Sequence, residues 1–218
     1  MYHTRTEKEY REVLKKSIRE TNVEGAIQTA MDARNGGLSA GEVISTIVMP
    51  TISEVWQEYL KGESGLPGPV ISMSIAHKIV DVLREQLPPF KGTVVVGTMG
   101  TFHDLGKNLV KEILYLNNYN VFDIGSNAEP EDFIKKAMET DADIIACNCM
   151  ALLARPKTKV LMELINARDL RGKMRIMVGG AVMTREWAEE IGADGYGDTM
   201  MDAASLANAF MDELRKPE

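Results

Sequence analysis

Apolar residues recur at helical spacing through the first 88 positions and in short β-branched blocks thereafter, so the hydrophobic period divides the chain. Tyr10, Val13, Leu14 and Ile18 share one face of a charged stretch and predict a helix over Glu7–Thr21. A second helix is predicted over Glu24–Ala33, closed by Asn35-Gly36-Gly37. Ser39 reads as the N-cap of a third, with Glu42 at the capping-box position. That helix is expected to run to about Lys61, with Pro50 as a point of kinking. Gly62 to Pro69 is a turn, and Val70–Gln86 is the fourth helix. Four helices with short connections predict a small antiparallel bundle.

The period changes at Leu87-Pro88-Pro89-Phe90-Lys91-Gly92, a linker by composition, which sets expected domains of 1–88 and 89–218. Strands are predicted at Thr93–Thr98, Tyr119–Ile124, Ile144–Cys149, Arg175–Val178 and Gly195–Tyr196. Between and after them lie predicted helices Leu105–Leu116, Pro130–Glu139, Lys157–Ala167, Arg185–Ile191 and Met201–Leu214. Alternating βα units imply an α/β fold, a Rossmann-like, flavodoxin-like parallel sheet of five strands covered on both faces. Ligands of such sheets sit beyond the carboxyl ends of the strands at the switch point, between strands one and three. The loops after Thr98 and after Cys149 are therefore the ones to inspect.

Composition narrows the classes. The net charge is −7, from 25 basic and 32 acidic residues, without a basic cluster, which argues against nucleic acid as a partner. No apolar run approaches the roughly 18 residues of a membrane span, and the charged opening lacks a signal peptide's apolar core. No membrane association and a cytoplasmic location are the expectation. Two cysteines, Cys147 and Cys149, are too few for a disulfide framework. On a strand they face one side and could join His103 in a soft metal site, but a fourth ligand is missing, and buried strand cysteines explain them better. Fourteen methionines read first as flexible core filler.

Among the 3 histidines, only His103 lies at the predicted ligand edge, in Met99-Gly100-Thr101-Phe102-His103-Asp104-Leu105-Gly106-Lys107. Asp104 is placed to cap the next helix, leaving His103 just before it. A neutral imidazole suits a borderline transition metal. By position alone, a surface-loop histidine is the cheaper explanation. His3 and His77 read as solvent-side or packing residues.

The run Gly100 to Val110, Gly-x-x-His-Asp-Leu-Gly-Lys-Asn-Leu-Val, resembles the His-x-x-Gly half of the Asp-x-His-x-x-Gly signature of cobalamin-binding domains. The family includes the small corrinoid proteins of methanol and methylamine methyltransferase systems and the B12 module of methionine synthase. Val178-Gly179-Gly180-Ala181 and Ile191-Gly192-Ala193-Asp194-Gly195-Tyr196 continue the similarity, behind a four-helix cap. The resemblance implies cobalamin bound base-off, with His103 as lower axial cobalt ligand and the nucleotide tail in a slot. Gly106, Gly179 and Gly180 would clear that slot. Gly100, Thr101, Phe102, Asp104, Leu105, Asn148 and Met150 complete the implied cofactor contacts.

Departures from the family pattern are specific. Thr101 stands where the family has Asp, so a hydroxyl replaces the carboxylate that supports the histidine. The family's Ser-x-Leu is Asn148-Cys149-Met150, and two hydroxyl residues beyond it are Leu152 and Ala154. The resemblance implies a methyl carrier, loaded by a cognate methyltransferase and unloaded by a second one, with no catalytic residues and no complete active site of its own. In the family one of those hydroxyls completes a proton relay through the carboxylate, and its absence here favours the alternative, a cobalamin-binding sensor or storage module without methyl transfer. Donor choice would reside in the partner enzyme.

Overall fold

The computed structural model describes residues 5–215, and His3 lies outside them. By internal contacts the chain forms two compact units, Met1–Pro89 and Phe90–Glu218.

In the first unit, α1 (Glu7–Arg19) opens on a capping box in which Thr6 Oγ1 accepts from the Glu9 amide and Glu9 Oε2 accepts from the Thr6 amide. Tyr10, Leu14 and Ile18 are buried at one-turn spacing. They face α2 (Val23–Asn35), whose buried residues Ala26, Ala30 and Ala33 allow close approach. Lys15 on α1 bridges Glu54 and Glu58, each at 2.9 Å. The Glu58 hydrogen bond raises Lys15, and Lys15 in turn lowers Glu58.

The third helical run begins with the predicted Ser39–Glu42 capping box, as α3 (Ala40–Glu42). It then widens into a π-helix at Val43–Val48 before continuing as α4 (Met49–Leu60). Pro50 thus absorbs its missing N–H through wider turns in place of a break: the Met49 amide donates five residues back, to Ile44. The fourth helix, α5 (Pro67–Leu83), starts three residues earlier than the apolar period indicates. Proline suits a first helical turn, where amide hydrogens lack partners anyway. A short 3₁₀ turn, Arg84–Gln86, ends it.

The second unit holds β1 (Thr93–Met99), α6 (Leu105–Leu116), β2 (Asn120–Asp123), α7 (Pro130–Thr140) and β3 (Ile144–Cys149). It continues through α8 (Ala154–Ala167), β4 (Arg175–Gly179), α9 (Arg185–Ile191), β5 (Gly195–Gly197) and α10 (Met200–Leu214). All strands pair in parallel, in the order β2-β1-β3-β4-β5. Helices α6 and α10 pack together on one face, and α7 and α8 pack together on the other. β1 and β3 are buried almost throughout, as strands covered on both faces must be.

Single carboxylates pin strand edges. Asp143 accepts from the Thr93 amide at 2.7 Å, and Asp194 accepts from the Ile176 amide at 2.8 Å and from Arg171 at 3.1 Å. Met99, Met162, Met174, Met177 and Met183 are buried in this unit and Met73 in the first, so methionine largely fills cores here. Among the described residues no helix is long and apolar enough to cross a membrane.

Candidate functional site

Chain reversal in the sheet occurs between β1 and β3, and the loops at their carboxyl ends carry the candidate residues. Gly100 leaves β1 with φ +69, against the backbone of Ala154 at the start of α8. This left-handed turn is one glycine adopts without strain.

Thr101 follows in a braced position. Its carbonyl accepts from the Asn127 amide at 2.9 Å, and the neighbouring Thr98 carbonyl accepts from Ala128 at 2.9 Å. The loop after β2 therefore supports the loop after β1. Thr101 Oγ1 lies 3.1 Å from His103 Nδ1 and accepts from the His103 amide at 3.3 Å. His103 is exposed, and its Nε2 makes no hydrogen bond among the described residues.

Asp104 occupies the N-cap position of α6, yet its side chain makes no capping bond there, contrary to the sequence expectation. Its Oδ2 accepts instead from Ser126 Oγ at 3.1 Å, a second brace between the same two loops. Sequence reasoning missed Ser126 and Asn127. Their only signal was a turn-forming run, Gly125-Ser126-Asn127, in which Gly125 and Asn127 have positive φ.

Lys107, one turn into α6, is 3% exposed and binds Asp123 at the end of β2 at 2.5 Å. Burial pushes the Asp123 carboxyl up, but Lys107, the Gly125 amide and Lys111 outweigh it and hold it below the usual value. This pair ties the helix after the His103 loop to the sheet.

On β3, Asn148 lies in register with Thr98 of β1 and Gly179 of β4. Its Nδ2 donates to Thr98 Oγ1 at 3.0 Å. A methyl group on Gly106 would meet Asn148 Oδ1 at 3.2 Å, so α6 passes close to this amide. Met150 Sδ receives the Ala181 amide at 3.5 Å, linking the loops after β3 and β4.

Gly179 and Gly180 have packing reasons of their own. A Cβ on Gly179 would stand 2.6 Å from the Gly197 carbonyl, and one on Gly180, at φ +105, would strike the Cys149 carbonyl. What these glycines clear is the backbone of neighbouring strands.

Leu152 and Ala154, paired in the sequence reading, part company. Ala154 is buried against Gly100, while Leu152 is 70% exposed. With Leu153, Phe102, Leu105 and Met201 it belongs to the exposed large apolar residues at the carboxyl edge of the sheet. This apolar rim was not legible in the sequence, because nothing in a loop's composition reports its exposure.

Cys147 and Cys149 are buried with sulfurs 3.6 Å apart, and the Cys149 hydrogen bond together with burial pushes the Cys147 thiol up. No group of three or more His, Cys, Asp or Glu side chains among the described residues could hold a metal ion. His103 therefore joins no soft site with the cysteines. His77 faces Asp81 one turn on, at 3.5 Å.

Comparison with known proteins places this architecture. A corrinoid protein of Desulfitobacterium hafniense is 29% identical over 206 residues, covering 91% of this chain and 95% of that protein. Trimethylamine corrinoid protein 2 of Methanosarcina acetivorans is 30% identical over 202 residues, covering 89% of this chain and 93% of its own length. The fold matches the methanol:cobalamin methyltransferase complex MtaBC from Methanosarcina barkeri with a TM-score of 0.74 at 21% identity, over 96% of this chain and 82% of that one. Residues 92–205, the stretch that carries β1 to β5, the braced His103 loop and the two strand-end glycines, match the B12 binding domain model, and the chain belongs to that family.

Proposed function

We propose that this chain carries a methyl group on the cobalt of a base-off corrinoid with His103 as lower axial ligand. A donor-specific methyltransferase would load the group, and a second methyltransferase would remove it. The observation that carries this reading is the state of the His103 ring, exposed at the sheet's carboxyl edge with Nδ1 engaged by Thr101 and Nε2 unengaged. A metal-binding histidine needs one nitrogen oriented by a neighbour and the other presented. The trimethylamine corrinoid relative, similar over most of both chains, supports the methyl-transfer setting.

The residues present fit such a cofactor. Phe102, Leu105, Leu152 and Leu153 offer exposed apolar surface at the edge where His103 stands, and exposed apolar clusters mark binding surfaces. Asn148 and Gly106 would flank the nucleotide tail, with the Asn148 amide as its polar contact. When bound, the cobalt would supply the methyl-accepting and methyl-releasing chemistry. His103 would set the axial position, Thr101 would orient the ring, and the apolar rim would exclude water around it.

Reconstitution with hydroxocobalamin and reduction to the cobalt(II) form tests the ligation. The electron paramagnetic resonance spectrum should show coupling to one imidazole nitrogen, and His103→Ala should lose it and bind the corrinoid more weakly. An unchanged spectrum in the variant refutes His103 as ligand. The carrier role fails separately, if the loaded protein takes no methyl group from any methanol- or methylamine-specific methyltransferase.

A further inference from the structure

Arg155 stands in the first turn of α8, just past the exposed Leu152–Leu153 pair, at the carboxyl edge of the sheet. Its Nε donates to the Val182 carbonyl at 2.7 Å, and its guanidinium lies over the Trp187 ring, 5.4 Å from the centroid. The ring is fixed in turn. Trp187 Nε1 donates to the buried Thr158 Oγ1 at 3.2 Å, and that hydroxyl donates to the Arg155 carbonyl at 2.7 Å. A long side chain is thus ordered in advance, and little rotamer entropy remains to be lost on binding. Yet neither Nη1 nor Nη2 of Arg155 meets an acceptor or a carboxylate among the described residues. Arg19, Arg168, Arg171 and Arg175 each reach a carboxylate. A guanidinium held by Nε and by one face, with its Nη edge unengaged, is built to receive an oxyanion.

The surroundings select the oxyanion. Arg155 follows Asn148 and Met150 in the chain, and Val182 follows Gly179 and Gly180. The Arg155–Val182 bond and the 3.5 Å contact of the Ala181 amide with Met150 Sδ join the same two loops. Arg155 therefore sits where those loops meet, next to strand ends that hold Asn148 and Gly179 in register. Resting on the corrinoid reading, we infer that the Arg155 guanidinium binds the phosphodiester of the corrinoid's nucleotide tail where the tail passes these loops toward Asn148. That phosphodiester is the anionic group of the cofactor. Beside the exposed Leu152 and Leu153 it would otherwise lose water without gaining a partner. The amino end of α8, a helix of 14 residues, adds partial positive charge at the same place.

Three corrinoids separate the parts of the tail. Hydroxocobalamin carries all of it, cobinamide phosphate has the phosphate without the nucleoside, and cobinamide has neither. Each is titrated into the full chain and followed by corrinoid absorbance. Arg155→Gln should weaken hydroxocobalamin and cobinamide phosphate by about tenfold, the worth of a charge-assisted bond at a partly exposed site, and leave cobinamide within about twofold. Arg155→Lys keeps the charge without the fork, so a smaller loss, again confined to the two phosphate-bearing ligands, is expected. That milder variant carries the same test if the glutamine variant does not fold. Equal losses for all three corrinoids, or a loss for hydroxocobalamin alone, would make Arg155 a brace between loops and overturn the inference. Unchanged affinities with slower methyl loading would assign the guanidinium to a carboxylate of the partner enzyme, and overturn it as well. Failure of the corrinoid reading itself is distinguishable, because the natural chain would then bind none of the three.

Discussion

Removing either end of the Lys107–Asp123 pair should cost unequal amounts of stability, because the two ends are buried unequally. Lys107 is 3% exposed and Asp123 25%, with Nζ and Oδ2 2.5 Å apart. Asp123→Asn leaves a nearly dry ammonium facing an amide, a defect of about 3–5 kcal/mol. Lys107→Met keeps most of the apolar stem and leaves a carboxylate that still accepts from the Gly125 amide at 2.8 Å and has Lys111 3.7 Å away. That change should cost about 1–2 kcal/mol. In the double variant the single costs should fall short of additivity by about 2 kcal/mol.

The pair also has a pH signature. The folded pKa of Asp123 is depressed, so its stabilisation is complete above the ordinary 3.8 and is lost as pH falls through the folded value. Stability lost in Asp123→Asn should therefore be full at about pH 7 and shrink below about pH 4. Urea unfolding in a Trp56→Phe background leaves Trp187 as the single tryptophan, reporting on the α/β unit. Lys107→Met costing as much as Asp123→Asn, or a cost of Asp123→Asn unchanged in acid, would refute the burial argument.

Two further outcomes follow from the packing. Gly180→Ala combines φ +105 with a collision at the Cys149 carbonyl and should cost about 2–4 kcal/mol in the same urea experiment, whereas Gly106→Ala, facing a movable Asn148 amide at 3.2 Å, should stay within about 1 kcal/mol and weaken corrinoid binding instead. An equal cost at the two glycines would show that backbone collision is not what the first one avoids. We also propose that the two units are separately folded domains. Limited proteolysis should then cut near Leu87–Gly92 and release a stable C-terminal piece that binds corrinoid, and a piece that aggregates or is degraded further would count against separable cores.

Much of this protein is determined by sequence alone, because its signals are local. The period of the apolar residues carries the helices and strands: β3 and α6 coincide with the bounds read from hydrophobicity and turn residues. The Ser39–Glu42 capping box is a three-residue spacing, and it forms as read. The strand alternation that puts Cys147 and Cys149 on one side likewise needs nothing beyond neighbours in the chain. The His103 loop was legible for a different reason, as a run of residue types matching a known signature.

Other features depended on residues far apart in sequence. Pro50 announced a disturbance but not its form: the turns just before it widen, over Val43–Val48, where Val43, Ile47 and Val48 are buried. Asp104 had the residue type and position of a cap, but its carboxylate accepts instead from Ser126, 22 residues away, which only the pairing of β1 with β2 brings within reach. The partner of Lys107 came from the same pairing. Leu152 and Ala154 look alike in a loop, yet one is exposed and the other buried, since exposure is a property of what the fold leaves uncovered. Local propensity and spacing thus determine the elements and the order of the loops. Which side chains meet across those loops is set by tertiary contacts, whose energies do not exist until the sheet has formed.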